Sequence, residues 1–83
     1  MRAKAAYRLI VTRSGRGARL FGAGDQVDHV EIQSLDDLEV VLYWDVPART
    51  RRRLEEAIRA DLESLAADDF LARWSTFTLE APG

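Results

Sequence analysis

The stretch EVVLYWDVPARTRRRLEEAIRADLESL, residues 39–65, constrains the fold most. Val40, Val41, Leu42, Tyr43 and Trp44 form a consecutive apolar run rich in β-branched and aromatic residues, which reads as a central strand covered on both faces. Pro47 then closes the strand and suits the first turn of a helix, because the N–H it lacks would have had no intrahelical partner. At roughly 100° per residue Leu54, Ile58, Leu62 and Leu65 share one stripe, predicting an amphipathic helix from about Ala48 to Ala67 with Asp45 or Thr50 as its cap. A buried strand that feeds such a helix demands a sheet with a helical layer against it.

The flanking segments supply the rest of that sheet. Tyr7, Leu9 and Val11 alternate with polar neighbours, predicting a half-buried strand over Ala5 to Arg13. SGRG, Ser14 to Gly17, reads as a turn into a short strand around Ala18 to Phe21, followed by a second glycine turn. Val30 and Ile32, separated by Glu31, predict a strand over Gln26 to Ser34. Its phase slips at Val27, as at a bulge. After a Ser34 to Asp37 turn, the apolar run and the long helix, DDFLARW predicts a short second helix with acids at its positive end and Phe70, Leu71 and Trp74 inward. Thr76 to Leu79 alternates again as a returning strand, and residues 81–83 should fray. The expected fold is α+β, one single small domain over residues 1–83, with an antiparallel sheet of four to five strands in the order β-β-β-β-α-α-β. A long amphipathic helix and a short second helix cover one face.

A chain of 83 residues carries only a thin core. With no cysteine there is no disulfide, thiolate metal site or cysteine nucleophile, and with no apolar run of spanning length no membrane segment is expected; a cytoplasmic setting fits both. The net charge is −2, but the charges are sorted. Met1 to Gly24 holds six basic residues and no acid, and Asp25 to Val46 holds seven acids and no Lys or Arg. Antiparallel pairing of these segments would let the two signs meet across strands.

Arginines form the most conspicuous candidate site. Arg49, Arg51, Arg52 and Arg53 crowd the start of the long helix, where the dipole disfavours cations. Four-residue spacing offers them answers within the helix: Arg51, Glu55, Arg59 and Glu63 make one ladder, and Arg52 has Glu56. Arg13, Arg16 and Arg19 surround the SGRG turn. Together these seven are the candidate anion-binding or partner-binding residues. Nucleic acid is the lesser alternative, since no aromatic residue interleaves with the turn arginines.

Other motifs are negative. Gly15, Gly17, Gly22 and Gly24 match neither a dinucleotide-binding nor a phosphate-loop spacing, and no serine sits in a nucleophile elbow. His29, the one histidine, could serve with Glu31 or Asp28 as a ligand or base, but reads first as a solvated strand residue. Asp61 falls inside the helix's apolar stripe, so a basic partner is implied; at the margin of the helical layer it would reach water or an arginine from the sheet. No catalytic, cofactor or metal set emerges. Tyr43, Trp44, Trp74 and Phe77 are the candidate interface, because a sheet covered on one face often finds its second cover in another chain. The expected function is a non-catalytic interaction module, a homodimer or a binder of another protein. An enzyme or ligand carrier would need a closed pocket around Asp61 or His29.

Overall fold

The computed structural model describes residues 1–13 and 27–77. Among these residues six elements follow one another: α1 (Ala3–Ala6), β1 (Tyr7–Thr12), β2 (Val27–Ser34), β3 (Val40–Pro47), α2 (Ala48–Ser64) and α3 (Ala67–Ser75). The strands form one antiparallel sheet in the order β1-β2-β3, and the long and short helices pack on one of its faces, an α+β arrangement. Among the described residues the sheet has three strands, not four to five. The expected strand at Ala18 to Phe21 lies outside the described residues, as do Thr78 and Leu79. Thr76 is not a strand residue; it ends α3 in right-handed helical geometry, and Phe77 donates its backbone N–H to the Trp74 carbonyl at 3.2 Å.

Among the described residues the apolar run at 40–44 forms an edge strand, not a central one. Regular alternation turns Leu42, Trp44 and Val46 toward the helices and Tyr43 and Asp45 away from them. The register slips once, where Gln33 pairs with Val40 and Ile32 with Leu42, so Val41 is the extra residue of a bulge. Val40 and Val41, at this irregularity, remain 48% and 40% exposed. A continuous apolar stretch therefore reflects a bulge on an edge, and burial on both faces is not needed to explain it.

No bulge occurs between Val27 and Val30. The inward positions of β2 are Asp28, Val30 and Ile32, so the phase is regular and one inward side chain is a carboxylate. The chain also begins differently from expectation: a single helical turn, AKAA, precedes β1. It is tied to the α2–α3 junction by Ala3 N–H to the Leu65 carbonyl and Ala67 N–H to the Met1 carbonyl, both 2.9 Å. Ala3 is fully buried at this crossing.

The core joins Val30, Ile32 and Val46 of the sheet to Leu54, Ile58 and Leu62 of α2 and to Phe70 and Trp74 of α3. Leu54, Ile58 and Leu62 follow the expected stripe, and each buried aliphatic side chain of this kind contributes about 1.5–3 kcal/mol. Aromatic edges complete it. Tyr7 stacks on Phe70 at 5.7 Å, and Trp44, Trp74 and Phe77 meet edge to face at 5.1–6.0 Å between ring centres. No helix among the described residues is long and apolar enough to cross a membrane.

Candidate functional site

At the start of α2 neither Asp45 nor Thr50 caps the helix. Pro47 occupies the cap position without a side-chain hydrogen bond, and the first turn contains no acid. The four arginines there part company. Arg51 turns inward, 12% exposed, and its Nε donates to Oδ2 of Asp28 at 2.8 Å. Its Nη1 donates to Glu55, which also accepts from Arg59 Nη2 at 2.8 Å. The expected ladder is thus realised as far as Arg59. It stops there because Glu63 pairs instead with Lys4 at 3.1 Å and accepts, through its carbonyl, from Arg2.

Arg49, Arg52 and Arg53 are exposed and take part in no ion pair among the described residues, so the expected Arg52–Glu56 pair is not formed. Between β1 and β2 no cross-strand charge pair of the expected kind forms among the described residues. Arg8 lies opposite Gln33 and donates to its Oε1 at 3.0 Å, while Glu31 lies opposite Ile10. Of the described acids in residues 25–46, Asp28 is met by Arg51 of α2 and Asp45 by His29 across the hairpin.

Asp28 is 4% exposed, and burying an ionised carboxylate is tolerable only with a partner of this quality. Hydrogen bonds from Arg59 hold the Glu55 carboxyl below its ordinary range, against a smaller opposing effect of burial; the charges of Arg59 and Arg51 add to the lowering. Asp61 does have the basic partner its position implied, although it comes from α3. Arg73 Nε lies 3.2 Å from Oδ2, and Trp74 Nε1–H donates to the same oxygen at 3.0 Å.

The other face of the sheet carries a second cluster. Alternation and register set out three rows across the strands: Arg8 and Gln33; Ile10, Glu31 and Tyr43; Thr12, His29 and Asp45. His29 Nδ1 lies 2.6 Å from Asp45 Oδ1 and 2.7 Å from the Tyr43 hydroxyl, with its ring stacked on that of Tyr43 at 5.7 Å. Hydrogen bonds from His29 and then Tyr43 lower the Asp45 carboxyl, and the same carboxylate raises the Tyr43 hydroxyl. An ionised Asp45 accepts from Nδ1–H, which assigns the neutral imidazole's lone pair to Nε2. Sequence reasoning paired His29 with Glu31 or Asp28 and missed both real partners. A signal existed: a short turn after Ser34 folds β3 back so that Asp45 falls opposite His29, and Tyr43 shares its face.

The candidate interface residues divide accordingly. Tyr43, 49% exposed, belongs to the outer face, whereas Trp44, Trp74 and Phe77 cluster under α2 and α3. Arg13, exposed, follows β1 at the end of the sheet from which α2 departs; Arg16 and Arg19 lie outside the described residues. No group of three or more His, Cys, Asp or Glu residues among those described is placed to hold a metal ion. Compared with known proteins, the chain matches no family model, no curated protein and no solved structure.

Proposed function

We propose that the chain is a non-catalytic interaction module that works as a homodimer in the cytoplasm. The outer face of the sheet carries this reading: among the described residues no helix lies over it, and Val40, Val41 and Tyr43 stand 40–49% exposed along one edge. The face bears both signs of charge, Arg8 toward one end and Glu31 and Asp45 toward the middle and the other end. A second copy, suitably turned, can therefore set Arg8 of each chain against Asp45 of the other while covering Ile10, Val41 and Tyr43. Light scattering on the purified chain should give twice the monomer mass. Tyr43→Asp should halve it without changing the circular dichroism spectrum, and a strict monomer at micromolar concentration overturns the homodimer.

A second reading is a nucleic-acid accessory protein, favoured by the unanswered Arg49, Arg52 and Arg53 and by Arg13 at the same end of the sheet. Its binding would weaken steeply with salt, because each phosphate contact releases a counterion. Lack of retention on DNA and RNA at low salt removes it.

A further inference from the structure

Two concavities meet over the first turns of α2. One, about 360 Å³, is lined by Thr50, Arg53, Leu54, Ala57, Trp74 and Phe77; the other, about 230 Å³, by Arg49, Thr50 and Arg53. Sharing Thr50 and Arg53, they form one groove whose apolar floor runs into a basic wall. Helix geometry explains the alignment: residues 50, 53, 54 and 57 follow the i, i+3, i+4, i+7 spacing and so line a single face of α2. Ala57 adds no bulk, and Trp74 is fixed below it by its bond to Asp61.

We infer that this groove docks an acidic segment of a partner protein, one apolar side chain entering above Leu54, Ala57 and Phe77 and its neighbouring carboxylates bound by Arg49 and Arg53. Charge complementarity selects that occupant. Arg49 and Arg53 meet no acid among the described residues, the first turn of α2 contains none, and the helix dipole adds to the positive field. Guanidinium groups bind carboxylates through paired N–H donors, and an apolar anchor beside them is the arrangement that concentrates binding energy at protein interfaces. A nucleic acid would want rings free to stack, yet Trp74 is 4% exposed. The inference deepens the interaction-module reading and rests on it, but uses a different surface from the dimer.

The test is amide NMR of the full chain at low salt, titrated with a terminally blocked peptide in which leucine alternates with glutamate. Shifts should concentrate at Thr50, Arg53, Leu54, Ala57 and the Trp74 indole. Replacing glutamate by glutamine in the peptide, or making Arg49→Gln with Arg53→Gln in the protein, should weaken binding about tenfold or more. Replacing leucine by serine should weaken it as well. Unmoved resonances, equal binding of the glutamine peptide, or stronger shifts of the same residues by oligothymidine would each overturn the inference. A monomer that binds the peptide sinks the dimer and keeps the groove; a dimer that does not bind it sinks the groove alone.

Discussion

Asp28 and His29 are consecutive in β2 and live in different solvents. Asp28 points under α2, where a guanidinium must meet it; His29 points outward, where Asp45 and Tyr43 meet it in the presence of water. Both clusters join the strands to a charged neighbour at 2.6–2.8 Å, so distance alone does not rank them. Burial does. An ion pair cut off from water becomes a liability once one partner is lost, whereas an exposed one is replaced by solvent at little cost. The inner cluster therefore belongs to the fold, and the outer cluster is free to serve contacts.

The largest effect expected from this contrast is Arg51→Met. It strips the guanidinium from a carboxylate with almost no access to water and should cost about 3–5 kcal/mol in urea denaturation. Arg59→Met, at the solvent end of the same network, should cost less than about 1 kcal/mol. Equal losses would break the comparison, because burial would then not decide the weight of a charge in this chain. Next comes Trp74→Phe, which keeps the ring under α2 but removes the N–H that Asp61 accepts. It should cost about 1–3 kcal/mol by the same measurement.

Sequence periodicity revealed the helical layer and the strands at Tyr7–Thr12 and Val27–Ser34, because Leu54, Ile58 and Leu62, like Val30 and Ile32, repeat at the period of the element they occupy. Periodicity is blind to what a buried polar residue touches. Asp28 breaks the apolar pattern of β2, and the arrival of Arg51, distant in sequence, is what periodicity could not foresee. The apolar run from Val40 to Trp44 misled for a related reason: a bulge lets two valines face solvent side by side, and composition does not record a register shift. Asp61 was legible as a residue in need of a cation, but the source of that cation depended on how α3 folds back. Arg49 and Arg53 stood out by charge; that Arg53 lines one concavity with Phe77 and Trp74 depends on the same tertiary path.

Leu38 tests the turn that sets which residues face which side. With φ of 63° it sits in the left-handed region, 62% exposed, while its N–H donates to the Ser34 carbonyl at 2.8 Å and its carbonyl accepts from Gln33. A branched residue there costs about 1 kcal/mol that glycine avoids, less what glycine adds to the freedom of the unfolded chain. Leu38→Gly should thus raise stability by up to about 1 kcal/mol in thermal denaturation. Destabilisation would mean that Leu38 packs on something that its φ angle does not reveal.

The smallest effect is the pH dependence of the outer cluster, and it probes the comparison atom by atom. Asp45 and Glu55 both have folded-state values below those of an unfolded carboxylate, so each adds stability that is present above the unfolded value and is lost as pH falls through the folded one. Tyr43 has the opposite sign: its value is raised above 10.0, so its contribution is present below that pH and fades as pH climbs through the folded value. Carboxyl-carbon NMR resolves the two acids. His29→Ala should return Asp45 toward the ordinary range, with Tyr43→Phe doing so less, because the imidazole bond is the larger cause. Neither variant should move Glu55, which is tuned by Arg59 and Arg51 on the other side of the sheet. A displaced Glu55 would mean that the two faces communicate through β2, and that Asp28 and His29 act as one network despite facing opposite ways.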